Sequence, residues 1–263
     1  MNDLLRSVED IAVKAGDAIM EIYRSGDFGV DHKSDDSPLT KADLAAHQVI
    51  VAGLLALTPE TPVLSEESAE ISYEERKAWN KYWLVDPLDG TKEFIKQNGE
   101  FTVNIALIEN GVPIAGTVYA PVRGEMFSGF NEQATEALVN GGNCGNKVKI
   151  SVQGRDEAKI AVASRSHLTP ETEQFLTDHG VSECVSVGSS LKFCLLARGE
   201  ADIYPRFGRT MEWDTAAGDA VLRAAGGRTL NPDGSPFIYG KLTQTHDAPF
   251  ANPSFVAFAT RQA

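Results

Sequence analysis

Long apolar runs are absent from the sequence. No stretch approaches the roughly 18 uninterrupted apolar residues of a membrane-spanning helix. Cysteine is scarce: Cys144, Cys184 and Cys194 are odd in number and lack metal-motif spacing, which favours free thiols in a reducing compartment. Positive charge is in deficit, with a formal net charge of −13, and this argues against binding to nucleic-acid duplexes. We therefore expect a cytoplasmic protein without an integral membrane segment.

The acidic balance still permits a phosphorylated small molecule as ligand, provided that metal cations lie between it and the protein. The first 26 residues place apolar side chains on one helical face. Acidic residues interrupt that face at Asp3, Glu9, Asp10 and Asp17, so the segment is not a secretory signal. With 263 residues, the chain can bury a large core, as one large domain or as two closely packed ones.

The chain divides into two halves of different pattern. "SPLTKADLAAHQVIVAGLLALTP" predicts a helix with Thr40 as N-cap and Pro59 as its stop. "TVNIALIENGVPIAGTVYA" predicts two strands joined by a hairpin at Asn110-Gly111, and "EMFSGF" a third strand. From about residue 155, strands and helices alternate, ending in a helix at "WDTAAGDAVLRAAGG". We expect an α+β half over residues 1–153 and an α/β half over residues 154–263.

The segment "YWLVDPLDGT" leads from an apolar strand directly into carboxylates. "PLDG" is typical of a β-turn. It is also typical of a metal site, in which Asp86, Asp89 and the Leu88 carbonyl offer the hard oxygen ligands that Mg²⁺ prefers. Gly90 permits close approach of a ligand, and Thr91 would begin a helix whose free N–H groups can receive a phosphate.

Three further acidic residues have both an ordinary and a functional interpretation. Glu66, in "VLSEES", is compatible with a helix start capped by Ser65. Asp214, in "EWDTAAGDAV", is compatible with a helix cap, and Asp43 with a charge at a helix N-terminus. Each of these residues has a structural explanation by itself, and it is their joint occurrence that needs explaining.

Four motifs, "LTKAD", "LSEES", "DPLDGT" and "EWDTAAGDAV", occur in the order and approximate spacing found in the lithium-sensitive, Mg²⁺-dependent phosphatases. The chain resembles that superfamily, which includes inositol monophosphatase and fructose-1,6-bisphosphatase, over nearly its whole length. The resemblance implies a layered αβαβα sandwich. Two segments, "DPLDGTKEFIKQNGEFTVNIALIENG" and "GSSLKFCLLARGEADIYPR", are most similar to the bacterial 3′(2′),5′-bisphosphate nucleotidases. Those enzymes remove the 3′-phosphate of adenosine 3′,5′-bisphosphate (PAP), a by-product of sulfate assimilation, and release AMP.

The resemblance implies a role for each acidic residue. Glu66, Asp86 and the Leu88 carbonyl would hold one Mg²⁺; Asp86, Asp89 and Asp214 would hold a second, and a third ion would lie near Glu66. Thr91 and Asp43 would orient and deprotonate the attacking water, with help from Glu66. The backbone N–H groups of Gly90 and Thr91 would receive the scissile phosphate. Lithium inhibition follows from the same resemblance.

Substrate choice depends on "VGSSLKF", which has two interpretations. Ser189 or Ser190 would cap a helix and leave Lys192 solvated, or the serines and Lys192 would gather a second phosphate. Inositol monophosphatases typically carry small apolar residues here, so Lys192 favours a bisphosphate. We further predict that His167, in "ASRSH", contacts the base and that Arg206 contacts a phosphate. A lone exposed histidine is more often incidental, however, and Arg206 is equally compatible with a surface ion pair.

Two other functions remain open from the sequence. The first is an inositol or other sugar monophosphatase on the same fold, and the second is a non-catalytic protein that binds divalent metal for stability. The presence of Thr91 and Asp43 argues against the second, because a structural cage needs no water-activating pair. The resemblance also allows the sulfate donor PAPS as a substrate, and peripheral attachment to the inner membrane, although no basic amphipathic segment requires it.

Overall fold

In the computed structural model, residues 2–33, 37–69, 71–154, 159–163, 169–241 and 247–260 are described. They form five layers, in which two outer helices, a large sheet, two central helices, a smaller sheet and one outer helix succeed one another. This is the αβαβα sandwich that the resemblance implies, so the expected fold is confirmed. Within the described residues, no helix is both long and apolar enough to cross a membrane.

Seven α-helices and one short 3₁₀ helix are present in the described residues. They are α1 (Asn2–Ser25), α2 (Lys41–Leu57), the 3₁₀ helix (Glu66–Ser68), α3 (Tyr73–Arg76), α4 (Thr91–Ile95), α5 (Pro170–Asp178), α6 (Leu191–Ala197) and α7 (Glu212–Ala224). The predicted start of α2 is confirmed, because Thr40 is its N-cap and accepts a hydrogen bond from Ala42 N. The helix ends at Leu57, two residues before Pro59.

The strands of the described residues fall into two main sheets and a small hairpin. In chain order they are β1 (Asp31–His32), β2 (Pro38–Leu39), β3 (Val63–Ser65), β4 (Lys81–Asp89), β5 (Thr102–Glu109), β6 (Val112–Ala120), β7 (Glu125–Phe130), β8 (Gln133–Asn140), β9 (Asn143–Cys144), β10 (Val148–Ile150), β11 (Ile160–Ala163), β12 (Glu183–Ser186), β13 (Ile203–Arg206), β14 (Arg228–Leu230) and β15 (Phe255–Phe258). Strands β1 and β2 pair only with each other.

The large sheet has the order β10-β8-β7-β6-β5-β4-β3, with β9 paired to β8. All its pairs are antiparallel except β3 with β4. The predicted hairpin between β5 and β6 is confirmed, and Asn110 and Gly111 both have positive φ, at 51° and 77°. Such values at both central residues are typical of the two-residue turns that match the twist of a hairpin. Strands β8 to β10 follow this meander and were not predicted.

The smaller sheet has the order β12-β11-β13-β15-β14. Its first three strands are parallel, as the alternating pattern predicts, whereas β15 runs antiparallel to both β13 and β14. The large sheet ends at Ile150 and the smaller one begins at Ile160. The boundary near residues 153 and 154 falls in this interval, but the division into two domains stays a prediction.

Helix α7 lies between the sheets and packs closely on the large one. A Cβ atom at Gly116 of β6 would lie 2.4 Å from the Ala217 carbonyl oxygen, and one at Gly129 of β7 would lie 2.6 Å from Val221 Cα. Only glycine permits this approach. The small residues of α7 in "DTAAGDAV" also allow the helix to approach the sheet this closely. The apolar core between the sheets therefore contains side chains from both halves of the chain.

Candidate active site

Strand β4 delivers the two acidic residues of the "DPLDG" segment. The sequence predicts a strand that ends at Asp86 and a turn that follows, but β4 continues to Asp89. Asp86 pairs with Asn104 and Asp89 with Thr102, so two residues of β4 lie opposite one residue of β5. The chain forms a bulge here because Pro87 has no N–H to donate to the ladder. The Leu88 N–H donates instead to Asp86 Oδ1, at 3.0 Å.

Three carboxylates from separate elements converge beside this bulge. Glu66 begins the 3₁₀ helix after β3, Asp86 lies in β4, and Asp214 lies in the first turn of α7. Each offers one oxygen, and these three oxygens lie within 4.8 Å of one another. Strand β3 pairs in parallel with β4, which brings Glu66 to the same edge of the sheet as Asp86.

Burial and mutual repulsion make this cluster unfavourable without a cation. Burial raises the pKa of Asp86 well above its ordinary value, and the charges of Glu66 and Asp89 raise it further. The pKa of Asp214 is raised in the same way, by burial and then by Asp89 and Glu66. A divalent cation removes both penalties. Since the donors are all hard oxygens, the set fits Mg²⁺.

Asp89 lies next to the cluster and has its own hydrogen-bond partners. Its Oδ2 accepts from Ser190 N at 2.8 Å and from Asn104 Nδ2 at 3.3 Å. Burial raises the pKa of Asp89 to about 6, although the charge of Lys192 opposes the rise. Asn104 was not predicted as a site residue, although a polar amide within the apolar strand "TVNIALIE" could have indicated one. The Leu88 carbonyl lies 3.4 Å from Thr91 Oγ1, and this is the longer of two contacts that compete for the single hydroxyl proton of Thr91, the shorter being that to Asp43.

Thr91 and Asp43 are hydrogen-bonded, as the predicted relay requires. Thr91 Oγ1 donates to Asp43 Oδ1 at 3.2 Å. The other oxygen of Asp43 accepts from the backbone N and hydroxyl of Thr40, at 2.7 and 2.6 Å. Burial raises the pKa of Asp43, while the bonds from Thr40 lower it. One oxygen of Asp43 therefore serves the helix start, as the structural interpretation predicts, and the other contacts Thr91; the relay to water stays a prediction.

Glu66 begins a 3₁₀ helix, as the structural interpretation predicts, but the predicted cap is wrong, because the Ser65 side chain makes no capping hydrogen bond. The Ser65 hydroxyl lies instead 2.9 Å from His47 Nδ1. This contact joins α2, which carries Asp43, to the segment that carries Glu66. Neither His47 nor this role of Ser65 was predicted.

Lys33 is a second unpredicted residue at this place. Its Nζ lies 2.7 Å from Glu66 Oε1 and 2.8 Å from Glu67 Oε1. Burial lowers the pKa of Lys33, but the charges and hydrogen bonds of both glutamates outweigh that effect and raise it. Burial raises the pKa of Glu67 to about 7. No sequence pattern could have indicated this contact, because the lysine follows a two-residue strand, far along the chain from the glutamates.

A cavity of about 130 Å³ opens beside Asp89 and Asp214 and contains two cationic side chains, those of Lys192 and Arg206. Lys192 is not solvated: it is only 7% exposed, and its Nζ donates to the Ser189 carbonyl at 3.1 Å. Burial lowers its pKa to about 8, against the attraction of Asp89. Arg206 Nη2 donates to the Arg209 carbonyl at 3.0 Å.

Ser189 and Ser190 join the two halves of the chain. Ser189 Oγ donates to the carbonyls of Asp89 and Glu100, at 2.9 and 2.8 Å. Ser190 Oγ donates to the Asp214 carbonyl at 2.7 Å. These hydroxyl protons are already used within the protein, so Lys192 and Arg206 are the better candidates for a second phosphate.

Gly90 lies close to the Ser189 side chain. It has a φ of 95°, and a Cβ atom there would lie 2.5 Å from Ser189 Oγ. His167 lies outside the described residues.

Known proteins show a close likeness to this chain as a whole. The sequence model of the inositol monophosphatase family matches residues 1–255, and the chain belongs to that family. The 3′(2′),5′-bisphosphate nucleotidase CysQ of Escherichia coli K12 is 50% identical over 254 residues, which cover 96% of this chain and 98% of that protein.

Solved structures show the same likeness. A crystal structure of CysQ from Bacteroides thetaiotaomicron, at 43% identity, superimposes with a TM-score of 0.84 and covers 98% of this chain and 97% of that one. The extragenic suppressor protein suhB of Bartonella henselae, at 25% identity, gives a TM-score of 0.73 over 99% of this chain and 94% of its own.

Proposed function

We propose that this protein is a Mg²⁺-dependent 3′(2′),5′-bisphosphate nucleotidase, which hydrolyses the 3′-phosphate of PAP to give AMP and phosphate. The observation that carries the proposal is the convergence of Glu66, Asp86 and Asp214 beside a cavity that contains the buried Lys192. The first feature provides for metal-dependent phosphate chemistry and the second for a substrate with two phosphates. The likeness to CysQ over nearly the whole chain supports both. The free cysteines support a cytoplasmic location.

Five groups would hold the metal: the carboxylates of Glu66, Asp86, Asp89 and Asp214, and the Leu88 carbonyl. We propose that these groups would hold two Mg²⁺ ions, to both of which Asp86 would contribute, and that Glu66 would help to hold a third. When bound, Mg²⁺ makes a coordinated water more acidic and neutralises charge on the phosphate. The fold brings these ligands together from three elements, the 3₁₀ helix, β4 and α7.

Thr91 and Asp43 would direct the attacking water. Because Thr91 Oγ1 donates its proton to Asp43, the lone pairs of that hydroxyl remain available to accept a hydrogen bond from water. A proton leaving the water would then be shared along the pair towards the buried carboxylate, and Glu66 would assist. The N–H groups of Gly90 and Thr91, at the start of α4, would hold the scissile phosphate.

Lys192 and Arg206 would bind the second, non-reacting phosphate. Both line the same cavity as Asp89 and Asp214. Lys192 donates to the Ser189 carbonyl, which leaves further N–H groups of its ammonium for a ligand. Ser189 and Ser190 would support this subsite by fixing the loop from which α6 begins. We retain His167 as the proposed contact to the adenine base.

Parallel phosphate-release assays with PAP and inositol 1-phosphate test the proposal. We expect clear preference for PAP. Lys192→Met should raise the KM for PAP on the order of 10-fold or more, because it removes a charge-assisted hydrogen bond, and should change the KM for inositol 1-phosphate little. Lys149→Met, which alters an exposed residue of β10, is the matched control. Preference for inositol 1-phosphate would support the alternative monophosphatase activity, and equal losses on both substrates would indicate a structural role for Lys192.

A further inference from the structure

We propose that Lys33 is an internal counter-ion that occupies Glu66 in the metal-free protein and competes with the divalent cation for that carboxylate. The inference rests on the proposed function, in which Glu66 is a metal ligand.

The geometry places an ammonium group at the acidic cluster. Lys33 Nζ contacts one oxygen of Glu66 and one of Glu67, at 2.7 and 2.8 Å. The side chain of Glu67 is only 5% exposed, while those of Lys33 and Glu66 are 22% and 25% exposed. Interactions between charges that are partly shielded from water are stronger than those at an open surface. These contacts of Lys33 are therefore expected to be stronger than exposed ion pairs such as that of Lys81 with Glu109.

The Lys33 ammonium group and a divalent metal ion would compete for the Glu66 carboxylate. An oxygen of Glu66 lies within the convergent set formed with Asp86 and Asp214, and Glu66 also accepts a hydrogen bond from Lys33. A divalent ion bound at Glu66 would meet a positive charge a few ångströms away, where repulsion is strong. In this proposal, metal binding at Glu66 displaces the ammonium from that carboxylate.

Glu67 provides the place to which the ammonium can move. Lys33 already donates to Glu67 Oε1, so loss of the bond to Glu66 leaves the lysine with a charged partner. The backbone of Lys33 is held in the hairpin, since its N–H donates to the Ser37 carbonyl at 2.9 Å. The displacement then needs only side-chain rotation. Lys33 stabilises the cluster without metal and weakens metal binding by the same interaction.

Calorimetric titration of Mg²⁺ into the metal-free protein, in the absence of substrate, tests the inference. We expect Lys33→Met to bind Mg²⁺ about tenfold more tightly than wild type, which corresponds to about 1.4 kcal/mol. Lys33→Arg, which keeps the positive charge, should stay within about threefold of wild type. Lys81→Met is the matched control: it removes an exposed ion pair with Glu109, at the opposite end of β4 from Asp86.

Thermal unfolding gives a second readout. In EDTA, Lys33→Met should unfold at a lower temperature than wild type, and saturating Mg²⁺ should reduce or reverse that difference. Equal or weaker Mg²⁺ binding by Lys33→Met, with wild-type binding intact, would overturn the role of Lys33 and leave the metal site standing. Failure of wild type to bind Mg²⁺ at all would overturn the metal site of the proposed function, and this inference with it.

Discussion

Removing divalent metal should make the stability of this protein fall as the pH rises from 5 to 8. Asp89 has its pKa raised from 3.8 to about 6, chiefly by burial. A carboxyl group whose pKa is raised by folding binds its proton more tightly in the folded protein than in the unfolded chain. The stabilisation by the proton is therefore present at low pH and is lost as the pH rises through the folded value. Asp86 and Asp214 have raised pKa values too and act in the same direction.

The size of the effect follows from the pKa of Asp89. A rise of this size corresponds to about 3 kcal/mol in total, since one pH unit is about 1.4 kcal/mol. About half of it, roughly 1.4 kcal/mol, falls between pH 5 and pH 8, where the folded protein releases the proton that the unfolded chain has already lost. For a chain of this length, that difference lowers the melting temperature by about 3–5 °C.

Thermal unfolding in EDTA across this pH range measures the effect. Asp89→Asn is the control, because the amide keeps an oxygen for Ser190 N and does not titrate. The melting temperature of the variant should decline less between pH 5 and pH 8 than that of wild type. Saturating Mg²⁺ should stabilise wild type more at pH 8 than at pH 5, since the metal binds the ionised carboxylates. A metal-free melting temperature that rises towards pH 8, with the same slope in both proteins, would refute the reasoning.

Two further substitutions test the geometry of the site. Thr91→Val should lower kcat on the order of 100-fold or more, because it removes the hydroxyl between water and Asp43. Mg²⁺ binding by this variant, measured by calorimetry, should change little. Thr91→Ser keeps the hydroxyl and should retain most of the activity, so equal loss of activity in both variants would contradict the relay. Gly90→Ala should lower the free energy of unfolding by about 1–3 kcal/mol in denaturant titrations, since the residue has positive φ and its Cβ would contact Ser189 Oγ. A variant as stable as wild type would show that the close contact between Gly90 and Ser189 does not contribute to stability.

Local sequence patterns predicted the helices and turns that are determined by residues close together in the sequence. The start of α2 follows from Thr40 and Asp43, three residues apart, and the β5–β6 hairpin follows from Asn110-Gly111. The ranges of the central helices were also close, because glycine and serine mark their ends. The acidic residues were identified individually, and only the family resemblance indicated that they meet.

The features of the site that the sequence did not predict depend on contacts between segments that are distant in the chain. Strand β4 continues past Asp86 because β5 supplies a partner for Asp89 beyond the bulge, which outweighs the turn preference of "PLDG". Ser65 contacts His47 instead of capping a helix. Lys33 meets Glu66 and Glu67 only because a short hairpin returns over the site. None of these pairs is close enough in sequence for periodicity or spacing to reveal it.

The position of α7 bears on how the chain matures during synthesis. Glu66, Asp86 and the whole large sheet leave the ribosome well before Asp214 and the helix that covers Gly116 and Gly129. A nascent chain that has reached β10 thus presents an uncovered apolar sheet face and an incomplete set of acidic ligands. Under the proposed function, metal capture would wait for the C-terminal part to dock, so the active centre would arise only in a chain that is almost fully made.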